Sequence, residues 1–188
     1  KDISSGQAFN DKILWQRLWN SDPHYNTNYS RTRFHIITMM FALHYMFKNE
    51  TDLDTFVENI DKNLRNGGYF IGACLDGKAI FDMLIDKLQN EEIVGFKGTK
   101  IIWKIKKMYN NDTFPNNENS LNYPIDVYMT SINSIITEFL VNFEYFKKKL
   151  ESKNIKLLNP SQLDEVSISR STGLFREVYD ELSSSSSY

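Results

Sequence analysis

The sequence predicts an α/β domain built on a parallel sheet with right-handed crossovers, and three observations carry that expectation. Residues 34–40, Phe34-His-Ile-Ile-Thr-Met-Met40, form an apolar run rich in strand-forming residues. Thr51-Asp-Leu-Asp then opens a stretch in which Leu53, Phe56, Val57, Ile60 and Leu64 recur on one helical face, closed by Asn66, Gly67 and Gly68. The segment after the glycines, Tyr69 to Ala73, is short and largely apolar, as a strand covered on both faces should be.

The remaining elements follow in order. Asp11 to Trp19 places Ile13, Leu14 and Leu18 near helical spacing, with Asn10 or Asp11 as N-cap. Ser21 to Arg33 has no sustained period and reads as a long connection. Gly77 to Leu88 resumes helical spacing through Ile80, Phe81, Leu84, Ile85 and Leu88. Lys100 to Tyr109 alternates enough for a strand with one wet face, Asn110 to Asn122 is a polar loop, and Pro124 to Ser131 is a further strand. Glu138 to Lys153 is expected as an amphipathic helix, with Phe139, Phe143, Phe146 and Leu150 inward and Lys147 to Lys149 outward. Ile155 to Leu158 resembles a short strand, and a last helix is expected near Phe175 to Leu182. Residues 1–160 are read as the body of the domain and 161–188 as a less regular, serine-rich tail of the same domain.

Composition narrows the function classes. With 188 residues, 41% hydrophobic and 14% aromatic, the chain can bury a core, so disorder is not expected. A net charge of −2 gives no global basic field, and phosphate contacts must be local. Lys104, Lys106 and Lys107 alternate along a strand and are open to two readings, an RNA contact or a solvated face. Cys74 is the one cysteine and is read as a small buried hydrophobe. With no internal disulfide available and no long apolar span, a reducing, cytoplasmic location and no membrane contact are expected. His24 and His35 have no ligand partners at useful spacing, so no metal is expected. The start at Lys1 and the closing run Ser183 to Ser187 lead us to expect a piece of a longer polypeptide.

Two motifs resemble a known family. Phe41-Ala-Leu-His-Tyr-Met-Phe47, followed by Gly67-Gly-Tyr-Phe-Ile-Gly72, is similar in order and spacing to the messenger-RNA cap guanine-N7 methyltransferases. Thr137-Glu-Phe-Leu-Val141 is a third match, and Cys74-Leu-Asp-Gly77 looks closer to the large-DNA-virus branch than to the cellular enzymes. The likeness runs from Lys1 to about Pro160. It implies a class I, Rossmann-like sheet flanked by helices, S-adenosylmethionine as methyl donor, and a capped RNA 5′ end, GpppN, as acceptor. It also implies further capping-enzyme domains in the same polypeptide or complex. Carried over by position, Phe41, His44 and Tyr45 match residues that line the cap-guanine pocket, Leu75 stands where a proline often borders it, and Glu138 matches the acid that pairs with the guanine edge. Asp2 and Ile3 match the acidic segment beside the donor's adenine, and Met40 with Phe41 falls next to the donor.

These residue types suit the chemistry the likeness implies. A guanine slot wants a flat apolar wall, an acceptor for N1 and N2 protons, and a donor for O6. Transfer from a sulfonium to N7 needs no acid or base, so alignment dominates, and proximity can supply roughly 7–11 kcal/mol in favourable cases. No side chain is therefore expected to act as a catalytic nucleophile. The sequence departs from the family where its glycine-rich donor loop is absent from this chain, where Met40 replaces a common Gln, and where Cys74 and Leu75 replace a small residue and a proline. Those departures keep two other readings open, a small-molecule S-adenosylmethionine methyltransferase and a non-catalytic, stimulatory subunit.

Overall fold

The computed structural model describes residues 33–185. The helix expected over residues 11–19, the connection before Arg33, and Asp2 and Ile3 lie outside the described residues. The chain divides into two compact units, residues 1–153 and 154–188.

In the first unit, strand β1 (Phe34–Met40) is followed by a 3-10 turn (Leu43–Lys48), helix α1 (Glu50–Asn63) and strand β2 (Leu64–Ala73). The two strands pair in parallel, with Ile36 opposite Tyr69 and Met40 opposite Ala73. A parallel pair needs a crossover element, and α1 supplies it. Its cap is Asn49 rather than Thr51, because the Asn49 side chain accepts the Asp52 N–H at 2.9 Å. Leu53, Phe56, Val57 and Ile60 are buried along one stripe, as their spacing predicts.

The paired glycines do not end this helix. Leu64 is already extended at φ −82°, ψ 127°, so Asn66, Gly67 and Gly68 belong to β2. Gly67 has φ 71°, a conformation that side chains resist, and it lies where the register slips between the Phe34–Leu64 and Ile36–Tyr69 pairs. The glycines therefore absorb an irregularity in the strand.

Helix α2 (Gly77–Met83) is capped by Asp76, whose side chain accepts the Ala79 N–H. It is shorter than expected. Ile80, Phe81 and Leu84 are buried, while Ile85 and Leu88 are exposed beyond the helix end. The Lys107 ammonium group donates to the Leu84 and Lys87 carbonyls at 3.2 and 2.9 Å, satisfying carbonyls left open there.

The later strands form a separate antiparallel sheet in the order β3-β4-β5-β6. Its members are β3 (Glu92–Lys97), β4 (Lys100–Lys107), β5 (Pro124–Met129) and β6 (Ser134–Phe139). β3 escaped the sequence reading because Gly95 breaks its apolar run. β6 corrects a second expectation: Glu138 lies in a strand, and helix α3 (Phe143–Glu151) begins only after Asn142, whose side chain accepts the Tyr145 N–H. Ile135, Ile136 and Thr137 are β-branched, and that stiffness favours the extended form. Phe143 is consequently exposed, while Tyr145 and Phe146 face inward.

Two apolar clusters hold the unit together. Phe56, Phe70 and Phe146 meet at ring separations of 6.0 to 6.2 Å, joining α1, β2 and α3. Ile80, Phe81 and Leu84 pack with Tyr109, Tyr123, Ile125 and Leu140, fixing α2 on the antiparallel sheet. Lys149 on α3 reaches Glu50 at 2.9 Å and Asp54 at 2.7 Å on α1.

In the second unit, residues 155–158 form no strand, contrary to expectation. Helix α4 (Pro160–Glu165) has a reciprocal capping box between Asn159 and Gln162, and helix α5 (Phe175–Ser185) covers the last helix expected. The chain thus combines both element types, with sheets flanked by helices, in the mixed α/β class the sequence predicts. Among the described residues no helix is long and apolar enough to cross a membrane.

Candidate functional site

The site forms where β1 ends and β6 turns toward α3. At the carboxyl end of β1 the backbone breaks sharply: Phe41 adopts φ 53°, uncommon for a bulky residue, and its N–H donates to the Ala73 carbonyl at 2.7 Å. The chain then enters the 3-10 turn, whose Leu43, Met46 and Phe47 point into the core. That turn buries His44, which is 7% exposed, and leaves Tyr45 outward. The Tyr45 and His44 rings meet edge-on with centroids 4.1 Å apart.

Glu138 approaches from the antiparallel sheet. It pairs across the ladder with Ile125, a buried residue, and the alternation of β6 turns Thr137 to the other face, where its hydroxyl donates to Asp126. The Glu138 Oε2 lies 3.5 Å from His44 Nδ1, the outer limit of hydrogen bonding. Burial lowers the His44 pKa below its ordinary value and raises that of Glu138. Both shifts disfavour an ion pair. His44 Nε2 is buried with no hydrogen-bond partner among the described residues.

His44, Leu75 and Glu138 line one small cavity, closed by Gly77, Ile80 and the segment from Phe139 to Val141. The expected residues therefore divide into groups. His44, Leu75 and Glu138 meet in the cavity, Tyr45 touches its rim through His44, and Met40 and Phe41 are exposed at the end of β1, outside the lining. Glu138 sits on a strand, so no helix terminus supports its charge.

Sequence reasoning missed Gly77, Ile80, Ile125 and Val141 as wall residues. Ile125 was legible from strand alternation, whereas Gly77 was hidden because its role is backbone proximity. A Cβ on Gly77 would overlap the Val141 backbone. Two lysines of β4 have other duties: Lys104 pairs with Glu92 at 3.0 Å, and buried Lys107 caps carbonyls. Cys74 is partly buried, its thiol pushed up to about 11 chiefly by burial and then by Asp76, so it is a poor nucleophile. Among the described residues no three His, Cys, Asp or Glu cluster as metal ligands.

Comparison with known proteins agrees on one family. The model of the mRNA (guanine-N(7))-methyltransferase domain matches residues 16–183. A probable mRNA-capping enzyme of Acanthamoeba polyphaga mimivirus is 28% identical over 154 residues, covering 79% of this chain and 13% of that protein. An mRNA cap guanine-N(7) methyltransferase of Cryptococcus neoformans is 22% identical over 130 residues, covering 69% of this chain and 20% of the relative. The Candida albicans protein of the same name is 38% identical over 58 residues, 30% of this chain and 12% of that one. The chain thus spans a fifth or less of the length of these relatives.

Proposed function

This chain belongs to the mRNA (guanine-N(7))-methyltransferase family, and on that premise we infer that it is the cap-binding part of an enzyme that transfers a methyl group from S-adenosylmethionine to N7 of the guanine in a GpppN RNA end. The observation that carries this reading is the meeting of His44 and Glu138, 3.5 Å apart in an otherwise apolar cavity. A guanine edge offers an acceptor at O6 beside donors at N1 and N2. An imidazole N–H and a carboxylate oxygen side by side form the complementary pair.

Each of the other residues has a place in this reading. Leu75 and Ile80 supply apolar wall, and Tyr45, exposed beside His44, offers a ring at the entrance against which the base can stack. Met40 and Phe41 form an exposed apolar ledge outside the carboxyl end of β1, where ligands of α/β sheets gather. That ledge fits one flank of the methyl donor, and Asp2 and Ile3 are proposed for its adenine. The donor supplies an activated methyl carbon with a neutral leaving group. The chain's own residues orient the base, exclude water from its edge and place N7 in line, with no proton to move.

RNA binding, further capping domains and a cytoplasmic location belong to this proposal; the multidomain setting is favoured by the small share of the mimivirus capping enzyme that the chain covers. The test supplies the full-length protein with GpppA-capped RNA and methyl-labelled S-adenosylmethionine. Label at N7 of the cap guanine is expected. A folded protein that binds donor yet leaves the cap unlabelled would overturn the reading.

A further inference from the structure

On the guanine-cap reading, the protonation state of His44 bears on how the site tells substrate from product. In the transfer, the N7 lone pair forms a bond to the methyl carbon, and the electron pair of the carbon–sulfur bond returns to sulfur. The positive charge leaves sulfur and arrives on the base. A cap site therefore meets a neutral base as substrate and a cationic one as product, and fixed charges at its edge discriminate between them.

His44 stands at that edge with two different nitrogens. Nδ1 faces the Glu138 carboxylate from 3.5 Å, and Nε2 is buried without a partner among the described residues. A carboxylate cannot face a bare lone pair favourably, so a neutral His44 keeps its proton on Nδ1. Protonation would add an N–H at Nε2, where no group among the described residues accepts it. Among the described residues, Glu138 from β6 and Tyr45 from the 3-10 turn are the titratable groups against the ring, and the rest of the cavity lining is aliphatic, aromatic or glycine. No second acid is present in that lining to offset an imidazolium.

We propose that His44 works as a neutral imidazole protonated on Nδ1, so that the site carries a net negative charge and distinguishes the methylated, cationic cap from the unmethylated one. Protonating His44 cancels that charge. The methylated cap is then expelled much more strongly than the unmethylated cap, which makes His44 a specificity-determining residue for product retention.

The experiment measures equilibrium binding of GpppA and m7GpppA to the full-length protein from about pH 8 to about pH 5. The readout is the ratio of the two affinities in the native protein, in His44→Asn and in His44→Gln. The variants report what the ligands and Glu138 contribute on their own. The preference for m7GpppA should fall about tenfold more on acidification in the native protein than in either variant, the effect of one unit of coupled pKa. Asn can place an N–H where Nδ1 stands and Gln where Nε2 stands, so His44→Asn should retain more cap affinity than His44→Gln. An equal pH response in native and variant proteins, or better retention by Gln, would overturn the proposal while leaving cap binding intact. If folded protein binds neither cap at any pH, the guanine-cap reading itself fails and this inference with it.

Discussion

Gly77 and Val141 pack backbone against backbone at the cavity wall, so closely that any side chain on Gly77 would overlap the Val141 main chain. This contact joins the start of α2 to the end of the β6 segment three residues beyond Glu138. Gly77→Ala should force the two apart, costing about 1–3 kcal/mol as overpacking does. Because Glu138 lies on the displaced segment, GpppA binding should weaken more than donor binding. Denaturation midpoints read together with the two affinities check this, and an unchanged cap affinity in a folded variant counts against the wall assignment.

Asn142 has a similar double duty. Its side-chain oxygen caps α3 by accepting the Tyr145 N–H at 3.0 Å, and its amide donates to the Pro115 carbonyl at 3.0 Å. Since the residue is buried, Asn142→Ala removes both bonds where water cannot replace them. A loss of about 1–3 kcal/mol is expected in urea unfolding, whereas Asn142→Asp should keep the cap and lose only the bond to Pro115.

Lys107 is a buried cation held by two carbonyls and lying 5.0 Å from the centre of the Tyr109 ring. Lys107→Met strands those carbonyls and should cost about 1–3 kcal/mol. Were β4 instead an RNA-phosphate surface, the same change would lower RNA affinity at high and low salt differently and spare stability. Comparing thermal melting with salt-dependent RNA binding separates the two.

Much of this architecture was legible in the sequence. The β1 run, the apolar stripe of α1 and the short β2 core follow from periodicity, because each buries a regular face. β6 was misread for a physical reason: Phe139, Phe143, Phe146 and Leu150 fall at helical spacing across the strand-to-helix junction, and only the β-branched Ile135 to Thr137 signals the extended part. Gly67-Gly68 reads as a helix end because local signals cannot reveal a strand irregularity created by pairing with β1. At the site, His44 and Glu138 were named from motif resemblance. Gly77 and Val141 were not, since close backbone approach leaves no mark in a single sequence beyond the glycine itself.

Acid should act on the site in two opposite ways. Burial lowers the His44 pKa from 6.5, so below that value the unfolded chain takes up a proton before the folded one, and stability falls as pH drops through the folded value. Burial raises the Glu138 pKa from 4.5, so its contribution is present below 4.5 and is lost as pH rises through the folded value. Glu138→Gln should therefore be no less stable than the native protein at neutral pH, while His44→Asn should lose less stability on acidification. Urea midpoints at several pH values measure both.

The same Glu138→Gln change should weaken GpppA binding about ten- to hundredfold, the usual cost of losing a charged acceptor in a dry site. A substitution that spares stability and removes binding marks a group kept for its ligand. Equal GpppA affinity in the two proteins, by titration at neutral pH, counts against Glu138 as the guanine acceptor.

The most direct measurement is a crystal structure of the full-length protein with GpppA bound. The guanine edge should lie against His44 and Glu138, with the Glu138 carboxylate within hydrogen-bond distance of N1 or N2 and the base flanked by Leu75. A cap seated elsewhere, with His44 and Glu138 still facing only each other, would contradict the account.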